Sequence, residues 1–363
     1  MSAPRALYIH IPFCNSICGY CDFCKLIYNQ GFAEDYLRAL FGEIDSYHLT
    51  DVDTIYIGGG TPTSLSDGQF ESLLAKASGF LSPGGEFTVE ANPESLSEEK
   101  AELMSAFGVN RVSIGMESSS PRLLKLIGRR HDFEGVAKAV AICRKHGLDN
   151  LNLDLIYALP GETMEELDRD IALALSLKPQ HLSTYSLILE ENSIFKKRGI
   201  KEASEDVQAD QYEEILRKLR ENGYERYEVS NFALGNHYSR HNLVYWRDEE
   251  YYGVGLGASG YIDGIRYTNI RSLSEYLKMP RRAEEEKVDV EAGIRYFLLT
   301  NLRLADGFEI SRFDRLFQDD FLKRYENVLP QLINEGLITI EGDQMKPTDR
   351  GILLLDRLLL ALY

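Results

Sequence analysis

Scarcity narrows the function of this 363-residue chain before any motif does. It holds one tryptophan, seven histidines and five cysteines, and 57 Asp and Glu outnumber 40 Lys and Arg to leave a net charge of −17. So acidic a chain, with no long basic block, is a poor general partner for nucleic acid, whose phosphates need clustered Lys and Arg. No apolar run approaches the roughly 20 residues that cross a bilayer, which excludes a transmembrane helix and leaves peripheral membrane contact open. The start, Met1-Ser-Ala-Pro-Arg5, lacks the charged and apolar regions of an export signal, so the expected compartment is the reducing cytoplasm. Phosphate-binding Walker loops, nucleophile elbows and dinucleotide fingerprints are all missing. Among the few histidines only His237 and His241 have the i, i+4 spacing of a metal pair. What is present in quantity is apolar: 44% hydrophobic residues support a sizeable core in one large or two moderate domains.

Four of the five cysteines fall in one short stretch, Cys14-Asn-Ser-Ile-Cys18-Gly-Tyr-Cys21-Asp-Phe-Cys24, directly after the apolar run Leu7–Phe13. Thiols this close can converge on one metal centre, and thiolates suit an iron–sulfur cluster or zinc. Zinc sites usually pair one Cys-x-x-Cys knuckle with a second Cys or His pair farther along, and none follows here, which favours the cluster over zinc or a disulfide.

Downstream, strand and helix alternate. Strands are expected at Leu7–Phe13, Thr54–Gly58, Glu86–Ala91, Arg111–Met116, Leu151–Tyr157 and His181–Leu189, with helices such as Phe32–Tyr47, Phe133–His146 and Met164–Leu177 between them. Repeated βα units impose parallel strands with right-handed crossovers. Six units are too few for a closed eight-stranded barrel, so the α/β fold expected is an open or partial (β/α)6 barrel with a lateral mouth. Ligands bind at the carboxyl ends of such strands. Cys14, Gly58–Thr61, Glu90, Glu117 and Asp154 all fall there, around one rim. Gly58-Gly-Gly-Thr61 offers backbone N–H groups for close approach to a polar ligand, or simply makes a tight turn. Glu90 and Asp154 lie in otherwise apolar strands, where a carboxylate is costly unless a ligand, an arginine or a helix cap satisfies it.

The Cys-x3-Cys-x2-Cys spacing resembles the radical S-adenosylmethionine (SAM) proteins. Tyr8-Ile-His-Ile-Pro-Phe-Cys14, Gly58-Gly-Gly-Thr-Pro-Thr63, Glu90-Ala-Asn-Pro93, Leu126-Ile-Gly-Arg129 and Asn152-Leu-Asp-Leu-Ile-Tyr-Ala-Leu-Pro-Gly161 resemble, in order, the signatures of the coproporphyrinogen dehydrogenase family of those proteins. Arg240-His-Asn-Leu-Val-Tyr-Trp246 resembles a motif of its HemW branch, the heme chaperones. The resemblance implies that Cys14, Cys18 and Cys21 hold a 4Fe-4S cluster whose fourth iron binds SAM, with Cys24 a bystander. It places Tyr8, Tyr20, Gly59, Gly60, Thr61, Glu90, Arg129 and Asp154 around SAM, and gives His241 a role toward heme. Catalytic residues are not implied. The chain departs from the family at Gly115-Met-Glu117, where a glutamine of a second SAM site is usual, so a contact from Glu117 and a second SAM are both in doubt. Only thirteen residues precede Cys14, short of the dehydrogenase branch's N-terminal extension. The function implied is therefore a heme chaperone that binds cluster, SAM and heme and delivers heme to acceptor proteins, as monomer or dimer. The alternatives are radical decarboxylation of coproporphyrinogen propionates or another radical reaction on a tetrapyrrole.

The expected organisation is a radical SAM core over residues 1–190, an extension over 191–285 carrying the His241 motif, and a smaller C-terminal domain over 286–363. Gly253–Gly260 reads as a strand and turn near the barrel mouth, and Pro280–Lys287 as a charge-rich linker. Helices are expected at Ala292–Leu302, Ile310–Phe317, Phe321–Glu335 and Asp349–Leu362, with a hairpin of Leu337–Glu341 and Gln344–Pro347 about Gly342. This order resembles an α+β winged-helix domain, and the acidic balance points it toward protein or cofactor rather than DNA.

Overall fold

The computed structural model describes residues 4–191 and 193–363. The opening residues of the chain, read above as lacking an export signal, begin outside them. Six strands follow the alternation read from the sequence: β1 (Ala6–Ile11), β2 (Val52–Gly59), β3 (Leu81–Ala91), β4 (Arg111–Glu117), β5 (Leu151–Tyr157) and β6 (His181–Ser186). Each pairs in parallel with the next. The crossover helices start where a polar side chain can take the orphan N–H groups of the first turn. Asn29, Ser66, Ser97, Asp132 and Thr163 cap the helices Gln30–Ser46, Asp67–Ser78, Glu98–Ala106, Phe133–Lys145 and Met164–Ser176.

One face of each strand is apolar and packs under these helices: Leu7, Ile9 and Ile11, then Ile55 and Ile57, Phe87 and Val89, Val112 and Ile114, Leu153 and Leu155. The other face is polar and hydrogen-bonds to itself across strands. Asn152 Nδ2 donates to Ser113 Oγ at 2.6 Å, and His181 Nδ1 donates to Asn152 Oδ1 at 2.6 Å. The apolar face fixes the register, since a slip of one residue would turn these polar groups into the helix layer.

Three further strands extend the sheet: β7 (Tyr224–Arg226), β8 (Asn231–Leu234) and β9 (Tyr252–Val254). Among the described residues the order is β9-β1-β2-β3-β4-β5-β6-β8-β7, with β9 parallel to β1 and β8 and β7 antiparallel at the far edge. The short helix Arg240–Trp246 lies across the polar face near the amino ends of the strands. Glu86 accepts the N–H groups of Arg240 and His241 at 2.9 and 3.0 Å, and the Ser239 N–H reaches the Tyr227 hydroxyl, itself 2.8 Å from His181 Nε2. Residues of β3 and β6 thus meet the same short segment, which closes the hollow of the curved sheet from below.

Sequence and structure part in four places. The sixth strand ends at Ser186, because Leu187 and Leu189 leave it to pack with Leu123, Ile127 and Phe195 beside the cysteine loop. The charge-rich run read as a linker is a strand, Arg282–Lys287, pairing with Ile265–Asn269, which also pairs with Ser259–Ile262. Charged residues suit such an edge, solvated along its outer side. The expected helix Phe321–Glu335 is two, Phe321–Arg324 and Leu329–Asn334, since Pro330 lacks the N–H that would continue the first. The last helix likewise divides at Leu354 into Asp349–Leu353 and Leu355–Leu362.

The C-terminal unit has its own core around Phe297, Phe308, Phe313 and Phe321. It holds the helices Val290–Asn301 and Ile310–Phe317 and the hairpin of Ile338–Glu341 with Gln344–Pro347, the winged-helix-like arrangement expected. It meets the core at the helix Arg240–Trp246, where the Arg303 guanidinium lies over the Trp246 ring, 4.6 Å from its centre. Phe297 sits at the centre of this unit, with ring centroids 4.9 Å from Phe308 and 5.7 Å from Phe313. Phe297→Ala is expected to cost about 3–5 kcal/mol in urea unfolding. Val290→Ala, on the exposed side of the same helix, is expected to stay within about 0.5 kcal/mol of the parent.

Candidate functional site

The carboxyl ends of the strands surround a cavity of about 460 Å³. Its wall includes Cys14, Cys18 and Cys21 with Tyr20, Gly59, Gly60, Thr61, Glu90, Glu117, Arg129 and Asp154, so eleven residues singled out in the sequence meet in one place. Tyr8, Cys24 and His241 are not part of that wall.

The cysteine loop leaves β1 and is closed at its base by backbone bonds, Leu26 N–H to Pro12 O at 2.6 Å and Tyr28 N–H to Cys14 O at 2.9 Å. Its middle is tied down by Gly19, whose N–H donates to Ile127 O and whose carbonyl accepts from Phe195 N–H. His10 fixes its end. Nε2 of His10 donates to the Cys24 carbonyl at 2.7 Å, which leaves Nδ1 to accept the Tyr8 hydroxyl at 3.0 Å. Tyr8 is thereby tied to the loop through His10, and its ring lies beside that of Tyr56 on the cavity wall, 6.1 Å between centroids. Cys24 turns the opposite way from the other three thiols. Its Sγ points to the Arg271 carbonyl at 3.9 Å, and it packs so closely on Gly257 that a Cβ there would come within 2.7 Å of its own.

Each glycine of the triplet answers to a neighbour. A Cβ on Gly58 would strike the Glu90 carboxyl at 2.7 Å, and one on Gly60 would meet the Phe13 carbonyl of the cysteine loop at 2.8 Å. Gly59 has φ +111, which other residues rarely adopt, and its N–H donates to Glu90 Oε2 at 3.0 Å. Glu90 Oε1 accepts from the Tyr56 hydroxyl at 2.7 Å. Burial still outweighs both bonds and lifts the Glu90 carboxyl to about 7.

Asp154 is held by Ser113 Oγ at 2.8 Å and Asn152 Nδ2 at 2.9 Å, and burial raises its pKa as well. Glu117 takes the left-handed conformation, φ +55, and forms a buried ion pair with Arg129. Gly115 leaves them room, since a Cβ there would lie 2.5 Å from Glu117 Oε1 and 2.6 Å from Arg129 Nη2. Glu117 Oε2 and Arg129 Nε keep no hydrogen-bond partner among the described residues. The arginine anticipated as a ligand contact is therefore already neutralised within the chain.

His241 differs most from expectation. It is fully buried, with Nδ1 2.8 Å from Thr54 Oγ1 and Nε2 2.7 Å from the Tyr245 hydroxyl. Burial lowers its pKa to about 3. With both ring nitrogens engaged and no exposed surface, it is not presented to a porphyrin. Tyr56, Ser113 and Asn152 were not singled out in the sequence. Counting by twos back from Gly58, Gly115 and Asp154 reaches them, because inward-facing strand residues alternate.

Three thiols, Cys14, Cys18 and Cys21, line this one cavity, and thiolates are the ligands that an iron–sulfur cluster takes. Burial raises Cys14 and takes Cys18 up to about 11, so the free thiols hold their protons and metal must displace them.

An α/β sheet of parallel strands whose first loop brings three spaced cysteines to the carboxyl rim defines a radical SAM protein. Residues 8–174 match the radical SAM superfamily and residues 289–354 the HemN C-terminal domain. Coproporphyrinogen III oxidase (HemN) from Escherichia coli, a radical SAM enzyme, shares the fold with a TM-score of 0.86 over 99% of this chain and 90% of that one, at 23% identity. The heme chaperone HemW of Lactococcus lactis is 41% identical, covering 97% of this chain and 95% of the relative. HemW of Bacillus subtilis is 38% identical over 96% and 97%, and that of Escherichia coli 34% over 98% and 97%. The chain belongs to the HemW family.

The raised Glu90 carboxyl sets a pH dependence. Folded protein keeps this proton up to about pH 7, whereas the unfolded chain loses it near about 4.3, so stability falls as pH rises through that window. Once ionised, Glu90 costs about 4 kcal/mol at about 1.4 kcal/mol per pKa unit. In urea unfolding of cluster-free protein, Glu90→Gln should lose less stability than the parent between pH 5 and pH 8. An equal loss in both would return Glu90 to an ordinary carboxylate.

Proposed function

We propose that Cys14, Cys18 and Cys21 hold a 4Fe-4S cluster with one iron left for SAM, and that the loaded protein binds heme and passes it to acceptor proteins in a reducing cytoplasm. The observation that carries the cluster reading is the division of the four loop thiols: three line the cavity while Cys24 is turned to Gly257 and Arg271. The cluster would supply an open iron position and a source of electrons. The chain's own residues do the rest. Gly59, Gly60 and Thr61 bring backbone close to a bound amino acid head group, Glu90 offers a carboxylate for its ammonium, and Tyr20, Arg129 and Asp154 enclose the remainder. Glu117 holds Arg129 and competes with any ligand carboxylate for it, which favours a single SAM.

The heme reading comes from the names of the full-length relatives. It is supported by the cavity mouth, where Phe23 is 62%, Ile188 66% and Tyr185 41% exposed. Flat apolar surface of this kind suits a porphyrin face, and a soluble protein rarely leaves it uncovered without use. Lys25, on the same rim, offers a cation to a heme propionate.

Single alanine variants of the four loop cysteines test the cluster. Anaerobic reconstitution should give depressed iron content for Cys14→Ala, Cys18→Ala and Cys21→Ala and full content for Cys24→Ala, with a SAM-induced change in the reduced-cluster EPR signal kept only in the last. Loss of iron in Cys24→Ala would sink the assignment. For heme, titration should give a Soret band of fixed stoichiometry, weakened in a Phe23→Ser, Ile188→Ser double variant. Carbon dioxide release from coproporphyrinogen with SAM and reductant would instead favour the dehydrogenase reaction.

A further inference from the structure

The His-Asn-x-x-Tyr-Trp helix meets the cavity wall at Tyr56, against which His241 packs. Glu90, on the cavity wall, is held at two points. One is the Gly59 N–H at 3.0 Å, fixed by the backbone, and the other is the Tyr56 hydroxyl at 2.7 Å. The second depends on a side chain that rotates unless something packs behind it. Two rings do so, His241 at 5.3 Å between centroids with the planes 31° apart and, farther off, Tyr8 at 6.1 Å. His241 cannot itself turn, because Thr54 holds one ring nitrogen at 2.8 Å and Tyr245 the other at 2.7 Å. Its backbone N–H is bound to Glu86 at 3.0 Å. A fully buried ring held at both nitrogens, on a backbone that is itself anchored, is a fixed surface against which a neighbour is set.

We propose that His241 is a positioning residue for the SAM site: it braces Tyr56, which aims the Glu90 carboxylate into the cavity. This rests on the reading of the cavity as a SAM site and gives the motif a role in SAM binding. The polar atoms of His241 serve its own immobility, and its ring face serves Tyr56.

The test uses full-length protein with reconstituted cluster and measures SAM affinity by equilibrium dialysis, with the SAM-induced change in the EPR signal as a second readout. Tyr56→Phe, which removes the hydroxyl bond to Glu90, and His241→Ala should each weaken SAM binding about five- to tenfold, the worth of one hydrogen bond. Because both act through one contact, the double variant should be no weaker than either single one. Heme uptake by His241→Ala should match the parent. Tyr245→Phe frees only one ring nitrogen and should give a smaller loss, which keeps the test open where His241→Ala fails to fold. Additive losses in the double variant, or unchanged SAM affinity with lost heme uptake, would overturn the proposal. Should the parent with a full cluster take up no SAM, the reading of the cavity falls and the proposal with it. A normal parent with unaffected variants removes the proposal alone.

Discussion

A carboxylate on the inner face of a parallel sheet is largely cut off from water, and the fold must supply partners for it or keep it protonated. Glu90 shows how much structure that requirement organises. Gly58 leaves the space, Gly59 bends to aim an N–H, and Tyr56 reaches across from the neighbouring strand. Two donors still do not offset burial, and Glu90 stays near 7. A group so incompletely satisfied at the wall of a cavity suits a cationic ligand that would complete it. Gly58, Gly59 and Tyr56 all serve that seat.

The cysteine loop meets a second constraint, which is to present three thiols and withhold a fourth. Distance along the chain cannot do this, since Cys24 follows Cys21 by three residues. Anchoring does. His10 takes the Cys24 carbonyl, and Gly257 accepts its side chain at a spacing no other residue would allow. The glycine-rich segment after the helix Arg240–Trp246 thus contributes to the site from the far side, selecting which thiols face inward.

The alternation of apolar strands and amphipathic helices makes the six parallel strands and their shared rim legible in the sequence, because the apolar face that each strand packs under the helices leaves a local signal. The Arg129 and Glu117 pair is less legible even though its members are twelve positions apart, since it needs Glu117 in the left-handed conformation and a glycine at 115 to make room. His241 is opaque to sequence because its partner Thr54 lies 187 positions away, and its burial depends on a helix laid across a curved sheet. The Arg282–Lys287 strand misleads for another reason. Charge reports exposure to water, and an edge strand is as exposed as a linker.

The claim on which the rest depends is that three loop thiols leave one iron of a cluster open to SAM. Mössbauer spectroscopy of iron-57 reconstituted protein with and without SAM addresses it directly. The account predicts that SAM shifts the parameters of a single iron site and leaves the others as they were. Four equivalent sites, unchanged by saturating SAM, would contradict it and point to a closed cluster held by all four cysteines of the loop.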